Sequence, residues 1–206
     1  MVSSGAMQSM TFDKTLLLLG NAPITDALAN WVSHWTGPVV CADGGARHLG
    51  ALTASAIIGD MDSYTGTDGW TDTDQNSTDF EKCLARIDAP GIIGVGFLGG
   101  RWDHSLAALS ALAKAPCPVT LIDHENAIRL VVNDYDGIHT TGEIVGVIPM
   151  EPCEFQSSHG LQYPLDGIRL ALGDWVGSSN CVNDSKVSIR GRGRYWLTTA
   201  SPVNGV

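Results

Sequence analysis

Asp60 and Asp62 stand two residues apart, directly after the apolar run Ala56-Ile57-Ile58 and Gly59. Hard oxygen ligands at that spacing suit Mg²⁺, which keeps several of its waters and bridges one or two carboxylates to phosphate oxygens. A short β-branched run closed by glycine is how a buried parallel strand ends, and in open α/β sheets ligands collect beyond the carboxyl ends of strands. Taken alone, the same residues also read as a solvated Asp/Ser turn, because both residue types favour turns for local reasons. Company separates the two readings. Asp43 in ADGG, Asp79 in STDFEK and Asp103 in GGRWDH fall in loops that follow successive expected strands. Parallel strands would bring these acids to one edge together with Lys82, Arg101 and His104. Unpaired carboxylates crowded into one cleft repel one another and raise some of their own pKa values unless cations neutralise them. Mg²⁺ with a nucleotide is the expected occupant. Gly44-Gly45 and Gly99-Gly100 would let the backbone approach phosphate oxygens, while Lys82 and Arg101 supply donors to charge on a transferred group.

The elements that must position these groups alternate in type. Residues 15–19 read as a buried strand, 25–34 as a helix with Ile24, Leu28, Trp31 and Trp35 near 3.6-residue spacing, 38–42 as a second strand and 56–58 as a third. Thr78-Asp79-Phe80-Glu81 has the form of a capping box and predicts a helix over 79–87. Asp79 and Lys82 are i, i+3 neighbours on it, placed to pair with each other or to share a ligand. Residues 92–97 read as a fourth strand, 98–102 as a glycine-rich loop, 103–114 as an alanine-rich helix and 119–122 as a fifth strand. This alternation implies a doubly wound parallel sheet with helices over residues 14–124. Beyond residue 123 no helical period persists. Short apolar runs at 128–132, 144–148, 168–172 and 187–189, separated by Gly, Pro, Asn and Asp, imply an all-β domain over 125–206, a sandwich or open barrel. Residues 1–13 are polar and unpatterned and read as a flexible N-terminus.

A net charge of −10 argues against a partner bound through its phosphate backbone, so no nucleic acid is expected. The five cysteines are widely spaced, with no C-x-x-C pair and no zinc-like grouping with histidine, and read as reduced thiols. The apolar run at 16–19 is far shorter than a signal core or a membrane span, so the expected location is cytoplasmic with no membrane partner.

Four segments in this order, VVCADGGARHL, IIGDMDS, DQNSTDFEKCL and GFLGGRWDHSLAAL, resemble the thiamine pyrophosphokinase family over about residues 15–122. GLQYPL at 160–165 and GSSN at 177–180 are similar to that family's second-domain signatures. The resemblance implies an α/β domain that binds ATP and Mg²⁺, followed by a β-sandwich for thiamine binding and dimerisation. It also implies transfer of a pyrophosphoryl group from ATP to the thiamine hydroxyl, giving AMP and thiamine diphosphate, in a homodimer whose sites lie between subunits. Position by position, Asp60, Asp62 and Asp79 match the metal- and phosphate-binding acids, and Gln75, Lys82, Arg101 and Asp103 match ATP-cleft residues. Asp60, Asp62, Asp79 and Lys82 form the expected catalytic set. Asp43, Gly44, Gly45, Gln75, Arg101, Asp103 and His104 form the expected ATP and phosphate contacts, and Ser179 and Asn180 match the thiamine side. One departure stands out: the aromatic that animal members place two residues after the SN asparagine, for stacking on thiamine, is Val182 here.

Two other functions fit parts of the chain. Gly94-Val95-Gly96-Phe97-Leu98-Gly99 is a literal G-x-G-x-x-G with Asp123 further on, the pattern of a NAD-binding oxidoreductase. It follows the fourth strand rather than the first, and Asp103 would crowd a pyrophosphate at the next helix N-terminus. A non-catalytic member of the family would bind a nucleotide or thiamine phosphate without turnover. His104 reads either as a phosphate contact or as a helix-start residue. Trp70, in a Gly/Thr/Asp-rich stretch, is a candidate lid element, and Trp175 and Trp196 are candidate thiamine platforms.

Overall fold

The structure is a computed structural model that describes residues 9–60, 70–72 and 74–205. The chain divides into two compact units, Met1–His124 and Glu125–Val206.

In the first unit the strands are β1 (Met10–Thr11), β2 (Leu16–Leu19), β3 (Val39–Ala42), β4 (Ala56–Gly59), β5 (Trp70–Thr71), β6 (Ile87–Asp88), β7 (Ile92–Val95) and β8 (Val119–Ile122). The helices are α1 (Asp26–Ser33), α2 (Asp79–Leu84) and α3 (Trp102–Ala111), with short 3-10 turns at Asp43–His48 and Leu112–Lys114. Strands β8, β7, β2, β3, β4 and β5 lie side by side in that order, and every pairing among them is parallel. Leu16 to Leu19 are wholly buried, as expected of a central strand covered on both faces. The chain leaves β2 towards β3 on one side and comes back to β7 on the other, so the strand order reverses beside β2. In such sheets the crevice at the reversal is where ligands bind.

The helices follow their local signals. Thr25 caps α1 by accepting from the Leu28 amide, and Thr78 and Glu81 form both halves of the capping box that starts α2. α2 ends at Leu84 rather than Ile87, because Ile87 instead pairs with Met10 in the small parallel ladder of β1 and β6. That ladder also ties Met10 and Thr11, which the sequence had placed in a flexible terminus; the first eight residues of that terminus lie outside the described residues. α3 ends at Ala111, and the expected final turn tightens into the 3-10 segment. Trp70 opens β5 and pairs with Ile58. This replaces the lid expectation with a strand at the edge of the sheet, a role that an aromatic on a half-buried pleat fills well.

The second unit is a sandwich of two antiparallel sheets. Its strands are β9 (Asn126–Val132), β10 (Tyr135–Ile138), β11 (Ile144–Pro149), β12 (Cys153–His159), β13 (Arg169–Leu170), β14 (Gly177–Cys181), β15 (Lys186–Arg192) and β16 (Arg194–Ala200). One sheet runs β10-β15-β12-β13, and the strands of the other neighbour one another as β14-β11-β16-β9. Val145, Val147, Tyr195 and Leu197 from one face meet Phe155, Leu170, Val187 and Ile189 from the other. The Phe155 and Tyr195 rings meet edge to face, 5.4 Å apart. The apolar runs marked β9, β11, β13 and β15. β10, β12 and β14 have no such run, because they alternate inward and outward residues or carry small polar ones, and β16 has only Tyr195-Trp196-Leu197 between Arg194 and two threonines.

All five cysteines are free. Among the described residues no helix is long and apolar enough to cross a membrane.

Candidate active site

A cavity of about 870 Å³ opens beyond the carboxyl ends of β2, β3, β4 and β7. Each strand end contributes to it: Asn21 and Ala22 follow β2, Asp43 and Gly44 follow β3, Asp60 follows β4, and Gly96 and Phe97 follow β7. The loop before α2 and the helix itself add Gln75, Asp79 and Lys82, and the start of α3 adds Arg101, Asp103 and His104. Of the residues read as site residues from sequence, Asp43, Gly44, Asp60, Gln75, Asp79, Lys82, Arg101, Asp103 and His104 therefore share one wall-to-wall space. Asp62 lies outside the described residues.

At the bottom of this space, Asp43, Asp60 and Asp79 each offer a carboxylate oxygen, and the three oxygens lie within 4.8 Å of one another. Gly59 makes that approach feasible. A Cβ there would sit 2.6 Å from the Asp43 Cβ and 3.2 Å from the Asp79 carboxylate, so any side chain would wedge the acids apart. Asp43 is buried and holds a left-handed backbone at φ 38°, an uncommon conformation outside glycine that turns the chain sharply off β3. The donor set is all hard oxygen. Ligands of one Mg²⁺ at 2.0–2.1 Å are at most about 4.2 Å apart, so a small inward adjustment of these three carboxylates fits that ion.

Lys82 Nζ donates to Asp79 Oδ1 at 3.0 Å. Burial pulls the ammonium pKa down, but the hydrogen bond and the charges of Asp79, Asp60 and Asp72 outweigh it and hold the pKa above its ordinary value. Lys82 is thus a fixed cation facing the acids. At the outer rim, Arg101 grips Asp103 through two bonds, Nε to Oδ1 at 3.1 Å and Nη2 to Oδ2 at 2.5 Å. That fork raises the arginine pKa and lowers the aspartate pKa, with the side-chain hydrogen bond as the main cause in both.

Gly44 and Gly100 line the cavity, and the glycines of the turn after β3 also have a packing role. Gly45 is buried where a Cβ would overlap the Leu19 carbonyl, and a Cβ on Gly44 would meet the Asn21 amide, so both permit the turn to pack against the end of β2. Gly94 lies inside β7, where a Cβ would meet Leu121 at 2.6 Å. Its part in the G-x-G-x-x-G pattern is sheet packing, which weakens the NAD reading.

Arg47 also lines the cavity; its Nη2 donates to the Asn21 carbonyl at 2.7 Å. The sequence reading passed over it. The one available signal was its place in ADGGAR, four residues after Asp43 on the turn that leaves β3.

Ser179 and Asn180 belong to the second unit. Ser179 is exposed with φ 57°. Asn180 is buried and its amide makes three hydrogen bonds: Oδ1 accepts from the Tyr163 and Cys181 amides at 3.0 and 2.9 Å, and Nδ2 donates to the Tyr163 carbonyl at 2.7 Å. Asn180 thereby fixes an exposed tyrosine, Tyr163. Val182 is buried in the sandwich core and offers no stacking face, whereas Trp175 is exposed.

Two family profiles match the chain: thiamin pyrophosphokinase, catalytic domain, over residues 30–121, and thiamin pyrophosphokinase, vitamin B1 binding domain, over residues 128–193. Thiamin pyrophosphokinase 1 of Caenorhabditis elegans is 29% identical over 118 residues, which are 53% of this chain and 49% of that protein. The chain thus spans about half the length of that relative. Thiamine pyrophosphokinase 1 of Arabidopsis thaliana is 26% identical over 194 residues, 73% of each chain. Among solved structures, thiamin pyrophosphokinase from Geobacillus thermodenitrificans superposes with a TM-score of 0.77 at 22% identity, over 91% of this chain and 97% of that one. The Candida albicans enzyme superposes at 0.78 and 17%, over 98% and 95%. At such identities these superpositions speak for the fold. With both family domains matched in order along the sequence, the chain belongs to the thiamin pyrophosphokinase family.

Proposed function

We propose that this protein transfers a pyrophosphoryl group from ATP to the hydroxyl of thiamine, giving AMP and thiamine diphosphate, with Mg²⁺ as the required cofactor. The observation that carries the reading is the convergence of Asp43, Asp60 and Asp79, with Lys82 among them, in the crevice where the strand order reverses. Asp60 and Asp79, with Asp62 two residues beyond Asp60, would hold the metal, and Asp43 closes the group from below. The ion supplies neutralising charge to a triphosphate that the acids would otherwise repel. Lys82 donates to oxygens of the transferred group, its ammonium kept charged by Asp79. Arg101, paired to Asp103 at the rim, and Arg47, anchored on the Asn21 carbonyl, offer cations to the outer phosphates. Gln75 and His104 line the same walls and complete the polar contacts. Positioning and charge neutralisation are what such a transfer chiefly needs, because the reacting centre itself demands little covalent chemistry from the protein.

Thiamine would be taken by the second unit near Ser179 and Tyr163, with Asn180 holding that loop in place. The family membership further supports a homodimer with sites shared between subunits, and the shortness of the apolar run at 16–19 is the ground for placing it in the cytoplasm. If sites are shared, refolding an inactive Asp60→Asn chain with an inactive Ser179 variant should restore about a quarter of the wild-type activity through random pairing.

Thermal unfolding with ligands tests the reading. Mg²⁺ and ATP together should raise Tm far more than either alone, by linkage of about 2.7 kcal/mol at a hundredfold excess over Kd. Stabilisation by NADH and none by Mg·ATP would defeat it. Binding without AMP release would identify a non-catalytic member.

A further inference from the structure

α2 carries Asp79 and Lys82 but is only six residues long, and a helix that short does not hold itself in water. Its position is set by ties to its surroundings. One such tie is a partly buried ion pair: Arg86 Nη1 meets Asp72 Oδ2 at 2.6 Å, with the two side chains 14% and 17% exposed. The same Arg86 Nη1 also donates to the Lys82 carbonyl at 3.3 Å, reaching back one helical turn. Asp72 is fastened from the opposite side, where its amide donates to the Gly59 carbonyl at 2.7 Å. Its other oxygen, Oδ1, accepts from the Asp74 amide at 3.0 Å. Neither Arg86 nor Asp72 is part of the cavity wall.

The pair therefore spans the two halves of the carboxylate group. One half, Asp60, leaves the end of β4 next to Gly59; the other half, Asp79 with Lys82, rides on α2. We propose that Arg86 and Asp72 are positioning residues whose ion pair sets the spacing between the β4 and α2 carboxylates and so the affinity of the site for a divalent cation. This rests on the metal-site reading above. A brace of this kind does not touch the ion, yet it fixes the position of the side chains that would. The pair also has its own electrostatic logic. The Asp72 carboxyl is held below its usual range chiefly by the Asp74 amide and then by Arg86, so the brace stays ionised across the neutral range.

Mn²⁺ binding to the full chain without nucleotide, followed by the loss of the free-ion paramagnetic resonance signal, reads the brace directly. Arg86→Gln and Asp72→Asn should each weaken Mn²⁺ binding about tenfold or more, the range typical of outer-shell changes. The double variant should bind no worse than the weaker single, because both changes remove one interaction. Arg86→Lys, which keeps the charge, should recover most of the loss. In turnover, the Mg²⁺ concentration for half-maximal rate should rise while the rate at saturating Mg²⁺ stays within a few-fold of wild type. If Arg86→Gln does not fold, Asp72→Asn and Arg86→Lys decide by the same criterion. Unchanged Mn²⁺ affinity in folded single variants, or additive losses in the double, overturns the brace. A wild-type chain that binds no Mn²⁺ removes the metal site and the brace together. Normal Mn²⁺ binding without thiamine turnover instead removes the proposed reaction and leaves the brace standing.

Discussion

Lys82 Nζ lies 3.0 Å from Asp79 Oδ1, and the lysine side chain is 3% exposed against 32% for the aspartate. The cation is thus sealed while its partner still faces the cavity. This asymmetry separates Asp79 from Asp60, although both belong to the same acidic group. Asp60→Asn and Asp79→Asn should each abolish most AMP release, by a hundredfold or more on the order expected for loss of a charge-stabilising group. Their stabilities should diverge. Removing Asp60 relieves repulsion and should leave Tm unchanged or slightly raised in the absence of metal. Removing the Asp79 charge strands a buried ammonium and should cost about 1–3 kcal/mol. Equal melting temperatures for the two variants would contradict the pairing described.

Gly59→Ala tests the close approach at the base of the site. A methyl group 2.6 Å from the Asp43 Cβ must push either β4 or the turn after β3 aside. The expected cost is about 1–3 kcal/mol of stability, with metal affinity falling alongside it. Urea unfolding and Mn²⁺ titration of the same sample measure both. A variant as stable as wild type with normal Mn²⁺ binding would show that the three acids do not depend on that gap.

Much of this was legible because the signals are local. The capping box at Thr78 and Glu81 is written in four consecutive residues, and the run ending at Gly59 announces a strand that delivers Asp60. Asp43 was placed on the phosphate side of the site; its turn through φ 38°, which no residue type announces, puts its carboxylate beside those of Asp60 and Asp79. β16 carries its apolar residues in one short run, Tyr195-Trp196-Leu197, flanked by Arg194 and by Thr198-Thr199, so most of its seven residues give no apolar signal even though Tyr195, Leu197 and Thr199 point inward. The Arg86–Asp72 pair joins residues that meet only because β5 pairs with β4 and α2 packs against β4. Asn180 matched a family signature. That it works through the Tyr163 backbone is a tertiary fact.

Acid should weaken the start of α2. Hydrogen bonds from Lys114, first, and from the Thr78 amide hold the Glu81 pKa below its ordinary 4.5. A carboxyl depressed on folding contributes stability that is complete above its unfolded value and is lost as pH falls through the folded one. The Tm difference between wild type and Glu81→Gln should therefore be constant above pH 4.5 and shrink below it. A difference that persists undiminished into strong acid would show that the charge of Glu81 does not matter.

Asn180→Ala should act as a structural lesion first. It leaves the Tyr163 amide and carbonyl without their partner, together with the Cys181 amide bond to the same side chain. The expected loss is about 1–3 kcal/mol. The thiamine KM should rise with little change in the KM for ATP. Loss of ATP affinity with unaltered thiamine response would contradict the division of labour between the two units.

The most direct measurement is product identity. Purified protein with ATP and Mg²⁺ is incubated with and without thiamine, and nucleotides and thiamine esters are separated chromatographically. AMP and thiamine diphosphate should appear in equal amounts, formed only when thiamine is present and lost on chelation of the metal or in Asp60→Asn. ADP with thiamine monophosphate, AMP release indifferent to thiamine, or no turnover by a folded protein that binds Mg·ATP would contradict the proposed transfer.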